Sequence, residues 1–216
     1  MTYAGQFIIL AVTKVGEKAL VLHTLSAQWG RRSFVVSVPK GGRTSLFLPL
    51  SIIEAEVMDN PKSDLWRMKN IVAAYPLAGI RGNVHKNAIT LFLSEVLFRT
   101  VHEGALEDGL YEWCRSSILT LDALESDFAS FHLRFLLEFA AALGFSPSIE
   151  DLAPFAEEYL TVLGKLLELP FSKFLLYPLK GAERNDLAAI LLRYISYHTE
   201  TAIEVNSLAV LRELYA

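Results

Sequence analysis

The side chains best suited to chemistry in this chain are positive groups that gather beside turn residues in its first seventy positions. Cations in the loops of a small β-structure can follow a phosphate backbone, and nearby glycines let that backbone approach closely. An indole beside such cations can stack on a base, which contributes about 1–3 kcal/mol when the ring is exposed. The pattern predicts a nucleic-acid-binding site made of Trp29, Arg31, Arg32, Lys40, Arg43 and Lys62.

Two further cations, Arg67 and Lys69, are spaced so that they share one face of a predicted strand. They either contact nucleic acid or neutralise Glu54 and Glu56 across the sheet. Cross-strand pairs of this kind contribute only roughly a few tenths of a kcal/mol. The sequence leaves both interpretations open.

The residue patterns on which most enzymes depend are missing. No P-loop, dinucleotide-binding or nucleophile-elbow motif occurs, and the five histidines are scattered. A single cysteine, Cys114, allows no internal disulfide and no multi-cysteine metal site. We therefore expect a protein without catalytic activity, metal or cofactor.

Charge is divided unevenly along the chain. Residues 1–76 hold nine Lys/Arg and five Asp/Glu, a net charge of +4, whereas residues 77–216 hold eleven and nineteen, a net charge of −8. A basic first part suggests contact with a polyanion, and an acidic second part suggests partners of another kind. No uncharged stretch reaches the roughly 18–20 residues of a membrane-spanning helix. Since Met1–Thr13 also lacks the positive region of a signal peptide, no membrane contact and a cytoplasmic location are expected.

Short apolar stretches, several of them alternating with period two, fill the first third of the chain, and turn residues separate them. Five short strands in about seventy residues suit a small closed barrel, and the OB-fold is the common solution with a basic face. The predicted strands are Gln6–Thr13, Ala19–Ser26, Arg32–Val38, Ser45–Met58 (interrupted at Pro49) and Asp64–Val72.

Beyond Pro76 the apolar period becomes helical, with Gly144 ending one helix and Ser148 able to start the next. The predicted fold class is α+β, with a five-stranded OB-type β-barrel in residues 1–78 and an all-α helical domain in residues 79–216. The predicted helices are His85–His102, Asp108–Leu124, Asp127–Leu143, Ile149–Leu163, Glu183–His198 and Asn206–Leu214.

Several segments together resemble the RecO family of bacterial recombination mediators, and the likeness runs over almost the whole chain. None of the segments is a catalytic signature, so the specificity lies in their number and order. The sequence is similar to the form found in Bacteroidetes-type bacteria. The matching segments are Leu20–Leu25, Trp29–Phe34, Pro49–Glu54, Leu65–Lys69, Leu91–Leu97, Phe131–Leu137, Leu143–Pro147, Leu191–His198, Ser207–Leu208 and Leu211–Leu214.

The resemblance implies an N-terminal OB-fold, a helical domain, no enzymatic activity and a nucleoid-associated protein. RecO-like proteins bind single- and double-stranded DNA, anneal complementary strands and associate with RecR. They also engage the C-terminal tail of single-stranded DNA-binding protein (SSB), which helps RecA load at gaps during repair. The family's barrel cations correspond to Arg31, Arg67 and Lys69 in this sequence.

Two departures from the family pattern limit what the resemblance implies. Many members carry a four-cysteine zinc site after a Gly-Phe-x-Pro stretch, but residues 148–181 contain no cysteine, so no zinc is expected. The loop between strands three and four offers only Lys40 and Arg43, where the family usually has more cations. A protein–protein adaptor with little intrinsic DNA binding is therefore the alternative.

An acidic tail that ends in an apolar residue requires a hydrophobic groove with a cation at its rim. Arg99 and Arg134 project from apolar predicted helices, which makes them candidates for binding the SSB tail. Each also has a carboxylate one helical turn away, Glu95 and Glu138 respectively, and pairing with it is the alternative.

Overall fold

The computed structural model describes residues 2–37, 44–59 and 65–215. Its five strands close into a barrel in the order β1-β2-β3-β5-β4, with a parallel β3–β5 pair and antiparallel pairs elsewhere. This confirms the predicted five-stranded OB-type barrel. The strands are β1 Thr2–Val15, β2 Ala19–Ser26, β3 Gly30–Ser37, β4 Ile52–Met58 and β5 Trp66–Ala73.

Alternating side chains fill the barrel, because successive residues of a strand point to opposite sides. In β4, Ala55 and Val57 point inward, whereas Glu54 and Glu56 between them point outward. Burying each large apolar side chain contributes about 1.5–3 kcal/mol. The barrel core consists of Phe7, Ile9, Leu22, Phe34, Val36, Ile53, Ala55, Val57 and Met68.

The predicted strand Ser45–Met58 is wrong in its first half. Thr44–Phe47 forms a 3-10 turn, and only Ile52–Met58 is a strand. Pro49 cannot donate a ladder hydrogen bond. The next residue, Leu50, has φ 54° and is 1% exposed, so the chain reverses there before β4 begins.

Helices follow the barrel, as predicted for the second part of the chain. Gly144, with φ 92°, ends the helix before it by donating its N–H to Ala141 O, as its position in the sequence indicated. The helices are α1 Ala78–Arg81, α2 Val84–Thr100, α3 Leu110–Ala123, α4 Phe131–Ala142, α5 Ile149–Leu152, α6 Leu160–Glu168, α7 Phe171–Leu175, α8 Gly181–His198 and α9 Ser207–Leu214. None of them, within the described residues, is long and apolar enough to cross a membrane.

The single helix predicted over Ile149–Leu163 is wrong. Ser148 caps α5 as expected, since its hydroxyl accepts the N–H of Asp151. The helix then ends after one turn, because Pro154 has no N–H to donate and favours a break. Two 3-10 turns, Ala153–Phe155 and Glu157–Tyr159, connect α5 to α6.

The chain forms two compact units. Unit 1 comprises Met1–Ala78 and Leu93–Leu119, and unit 2 comprises Gly79–Phe92 and Thr120–Ala216. Unit 1 therefore contains the barrel, the second half of α2 and most of α3. Residues 93–119 thus belong to the same unit as the barrel, which the sequence did not indicate.

His132 should make unit 2 sensitive to acid. It lies on α4, is 2% exposed, and meets the Phe92 ring edge-on at 5.9 Å. Burial, together with the charge of Arg184, lowers its pKa from 6.5 to about 3. The unfolded chain therefore binds this proton at higher pH than the folded chain, and the free energy of unfolding falls as pH drops from 6.5 towards 3.

We expect the wild type to lose about 2 kcal/mol through this residue between pH 7.5 and pH 5. Urea unfolding of the wild type and of His132→Leu at both pH values measures the effect. The variant should lose less stability over this range, since it has no imidazole to protonate. Equal losses in the two proteins would show that His132 does not carry the pH dependence.

Candidate nucleic-acid interface

Strand alternation separates the two neighbouring arginines of β3. Phe34 and Val36 point into the barrel, so Arg32 lies on their side of the strand and Arg31 lies on the other. Arg32 precedes the core residues and therefore lies at an end of the barrel. Arg31 lies on the outer side of the strand together with Ser33. The guanidinium groups of Arg31 and Arg32 therefore have different surroundings.

The outer side of β2 and β3 is covered by residues 98–105 of the same unit, and we call it the sealed face. The Arg31 side chain is 14% exposed there, and its Nη1 donates to Val101 O at 2.5 Å. The guanidinium carbon lies 4.5 Å from the centre of the Phe98 ring, and Nε lies 3.8 Å from Glu103 Oε2. Burial lowers the Arg31 pKa, and Glu103 partly offsets this effect.

A hydrogen-bond network extends across the sealed face. Ser33 N and Oγ donate to the two carboxylate oxygens of Glu103 at 2.7 and 3.0 Å. His23 lies beside them, with Nδ1 2.8 Å from Ser33 Oγ and Nε2 3.0 Å from Thr13 Oγ1. Burial lowers the His23 pKa, as does the charge of Arg31, so the imidazole is neutral at pH 7 and suits this network.

Backbone contacts fasten the covering segment to β3. Arg31 N donates to Ala105 O at 3.1 Å, and Gly104 N donates to Arg31 O at 2.8 Å. Gly30 has φ 56°, and a Cβ at this position would lie 1.8 Å from Ala105 O. Strands 2 and 3 usually form the ligand face of an OB-fold. In this protein that face is occupied by the protein's own backbone.

One end of the barrel carries a group of half-buried aromatic side chains and a cation, which we call the aromatic mouth. It consists of Tyr3, Trp29, Arg32 and Trp66. The Arg32 guanidinium carbon lies 3.7 Å from the centre of the Trp66 ring, and Trp29 meets Trp66 edge-on at 6.2 Å. Trp29 also stacks on the core residue Phe7, with parallel rings 5.7 Å apart.

The aromatic mouth has the chemical groups required to hold a nucleotide. A guanidinium stacked on an indole is already oriented, and it keeps its N–H groups for a phosphate or a base. The whole Arg32 side chain is half-buried, and its Nε is a buried atom without a hydrogen-bond partner within the described residues, so a ligand would meet the outer Nη groups. Tyr3 and Trp29, whose rings lie 6.1 Å apart, provide further aromatic surface beside this cation.

The outer side of β5 presents two of the sequence-predicted cations, Arg67 and Lys69, because Met68 between them points inward. Lys69 pairs with Glu56 of β4, with Nζ 3.3 Å from Oε2, and both side chains are well exposed. The Glu56 pKa is lowered by a hydrogen bond from Asn70 and by Lys69. An exposed pair of this kind is weak, so a phosphate can compete for Lys69. Arg67 is exposed opposite Met58.

The remaining sequence-predicted sites divide into three groups. Lys40, Arg43 and Lys62 lie outside the described residues. Arg99 Nη2 lies 3.9 Å from Glu95 Oε1 in unit 1. In unit 2, Arg134 Nε donates to Glu138 Oε1 at 2.6 Å and Nη1 donates to Leu169 O at 3.1 Å. Both arginines therefore have the carboxylate partners that the helical spacing indicated.

Sequence reasoning missed three residues that the barrel exposes. Tyr3 was not singled out, although it lies on the same side of β1 as Phe7 and reaches the mouth. Lys14 and Lys18 flank the β1–β2 turn, and both are exposed. The Val15-Gly16 turn signal next to these lysines would have identified them as loop cations. No group of three potential metal ligands occurs within the described residues.

Comparison with known proteins gives a consistent family assignment. A family model described as "Recombination protein O C terminal" matches residues 81–153. The chain is 30% identical to the DNA repair protein RecO of Bacteroides fragilis over 236 aligned positions, which cover 96% of this chain and 97% of that protein. It is 29% identical to the proteins of the same name from Phocaeicola vulgatus and Flavobacterium psychrophilum, with 97% of each chain covered in both comparisons.

Proposed function

Because the chain belongs to the RecO family of DNA repair proteins, we propose that it is a recombination mediator that binds DNA through its barrel. In this role it binds single- and double-stranded DNA and anneals complementary strands. With RecR it helps RecA load at gaps covered by SSB. The family assignment supports the general role in DNA repair, and the barrel geometry supports the choice of DNA-binding residues.

The single observation that carries the DNA path is the Arg32 guanidinium stacked on Trp66. We assign a base or a phosphate to this pair, and we assign neighbouring phosphates to Arg67 and Lys69 on the outer side of β5. Arg31 is left out of the path, since its side chain is only 14% exposed and its guanidinium contacts Val101 O and Glu103 inside the sealed face. Trp29 supports the mouth by stacking on the core, with its remaining exposed surface available to a base.

The expected affinity is modest. Three phosphate contacts on a single strand give a salt slope of roughly −2 in log K against log salt concentration. The second part of the chain carries a net charge of −8, so it repels the same polymer. The DNA should therefore contact the barrel and avoid the helical residues.

A fluorescence-anisotropy titration of a labelled oligothymidylate at low and moderate salt tests this function. We expect saturable binding at low salt, with affinity falling along the slope given above. Competition with unlabelled duplex tests the double-stranded preference in the same assay. Absence of binding at low salt would exclude intrinsic DNA binding by this protein.

Glu56 should weaken DNA binding because its carboxylate forms an ion pair with Lys69 and so competes with phosphate. We expect Glu56→Gln to tighten oligothymidylate binding roughly two- to threefold at low salt, because it removes a competing carboxylate near the phosphate path. Glu200→Gln removes the same charge from an exposed position in unit 2 and is the matched control. Equal effects of the two substitutions would mean that only net charge matters, and that Lys69 has no special role.

The second candidate function is a protein–protein adaptor with little DNA binding. The sealed face favours it, because the usual OB ligand surface is closed and Arg31 is engaged there. Under this alternative, RecR and the SSB tail remain partners while DNA binding is absent. Tail binding at Arg99 or Arg134 would have to displace Glu95 or Glu138. Substituting these arginines and measuring binding of a labelled SSB-tail peptide tests that assignment.

A further inference from the structure

Unit 2 contains an open groove that the DNA-repair assignment does not use. It has a volume of about 370 Å³ and lies between α8 and the two 3-10 turns that follow α5. Its floor is apolar, with Ala156 and Ile190 at 2% and 5% exposure and Ala189 half-buried. A cavity of this size holds two or three side chains of a bound segment, within the range of ordinary ligand sites.

Two hydrogen bonds between its walls define the ends of the groove. At one end, Tyr159 Oη donates to Asp186 Oδ2 at 2.7 Å. At the other end, Arg193 Nη2 donates to Phe155 O at 2.8 Å. Asp186 and Arg193 are seven residues apart on α8, which places them about 10 Å apart along the helix axis. Because both connections join opposite walls, the groove is preformed.

The two ends differ in charge. Glu158 is exposed beside Asp186, and the hydrogen bond to Asp186, burial, and the charges of Asp186, Glu183 and Glu158 together raise the pKa of Tyr159 to about 12. At the opposite end, Arg193 is exposed, and Tyr197 beside it is 69% exposed with its ring against Phe155. A groove with carboxylates at one end disfavours nucleic acid, and an exposed tyrosine and arginine beside an apolar floor are typical of protein-binding surfaces.

We propose that this groove binds an extended segment of a partner protein that carries a Lys or Arg and, three residues later, an Asp or Glu, with small or apolar residues between them. In the extended polyproline II conformation, which has three residues per turn and rises about 3.1 Å per residue, side chains three residues apart lie on the same side and about 9 Å apart, close to the separation of the two charged ends. The cation of the segment meets Asp186 and Glu158, its carboxylate meets Arg193, and an apolar side chain between them packs on Ile190. This interaction goes beyond the proposed DNA binding, since it uses other residues and another class of ligand.

Peptide titrations followed by methyl NMR test the proposal on the full chain. The probe is acetyl-Ala-Leu-Lys-Ala-Leu-Glu-Ala-amide. Its matched control, acetyl-Ala-Leu-Lys-Glu-Ala-Leu-Ala-amide, has the same composition with the two charges adjacent. We expect the probe to shift the methyl signals of Ala189 and Ile190, and we expect the control peptide to bind at least about fivefold more weakly because its charges cannot reach both ends.

Protein variants separate the groove from general charge effects. Glu158→Gln should weaken probe binding about threefold, whereas Glu168→Gln, at an exposed position on α6, should not change it. Ala189→Leu fills the floor and should abolish binding while the protein remains folded by circular dichroism. No shift of the two methyl signals at millimolar probe, or equal affinity for both peptides, would overturn the proposal. Preference for an all-acidic peptide would overturn it as well, since the carboxylate end would then have no role.

Discussion

Gly30→Ala is expected to cost about 4 kcal/mol of unfolding free energy, an exceptionally large loss for the addition of one methyl group. The new Cβ would lie 1.8 Å from Ala105 O and 2.7 Å from its carbonyl carbon, so the backbone of the covering segment must move away. The residue also has φ 56°, a conformation that costs an alanine about 1 kcal/mol before any clash. Chemical denaturation of the wild type and the variant measures the difference.

Gly16→Ala is the matched control for this substitution. Gly16 has φ 66°, but nothing lies within 4 Å of a Cβ placed there, so only the conformational strain applies. We expect a loss of about 1 kcal/mol. If Gly30→Ala cost no more than Gly16→Ala, the covering segment would not be held against β3, and the sealed face would be open to ligands.

Separate substitution of the two neighbouring arginines is expected to give opposite results. Arg32→Gln should weaken oligothymidylate binding about 30-fold, or about 2 kcal/mol, because it removes both the stacked cation and a phosphate contact. It should cost less stability than Arg31→Gln, about 1 kcal/mol, for the lost cation–π contact with Trp66. Anisotropy titration and denaturant unfolding of the same preparations provide both measurements.

Arg31→Gln should show the reverse pattern. The substitution leaves Val101 O and the Glu103 carboxylate without their cationic partner, which costs about 2 kcal/mol of stability. DNA affinity should remain within about twofold of the wild type, since this side chain does not reach the proposed path. A large loss of affinity in Arg31→Gln with unchanged stability would place the DNA on the outer side of β3.

The barrel could be predicted from the sequence because its signals are local. Alternation at Ile53-Glu54-Ala55-Glu56-Val57 fixes the inner and outer sides of β4 without reference to any other segment. The helical region could be predicted for the same reason, apart from the break at Pro154 and the short helices α1 and α7, which no predicted helix covers. The apolar period continues on both sides of this proline, so periodicity alone predicts one helix over Ile149–Leu163.

The candidate site was harder to predict because it depends on distant contacts. The opposite directions of Arg31 and Arg32 follow from strand alternation, so the sequence contained that information. The burial of Arg31 under residues 98–105 could not be predicted from strand alternation, because Val101 and Glu103 lie about seventy residues further along the chain. Nothing local to either segment indicates that Glu103 accepts hydrogen bonds from Ser33.

The aromatic mouth also depends on contacts between segments that are distant in the sequence. The sequence identified Trp29 as a residue that could stack on a base, but its stacking on Phe7 depends on how β1 pairs with the rest of the barrel. Tyr3 lies before the predicted strand Gln6–Thr13, and only the observed β1, which begins at Thr2, includes it in the barrel. Only the closed barrel brings Tyr3, Trp29 and Trp66 together.

The indole signals of the three tryptophans provide the most direct test of the DNA path. Trp29 and Trp66 lie in the aromatic mouth, whereas Trp113 lies on α3 and serves as an internal control. In a proton–nitrogen correlation spectrum of the protein, addition of an oligothymidylate is predicted to shift the indole N–H signals of Trp66 and Trp29 and to leave that of Trp113 unchanged. Saturable DNA binding that leaves Trp29 and Trp66 unmoved would contradict the account, because the DNA would then bind elsewhere on the protein.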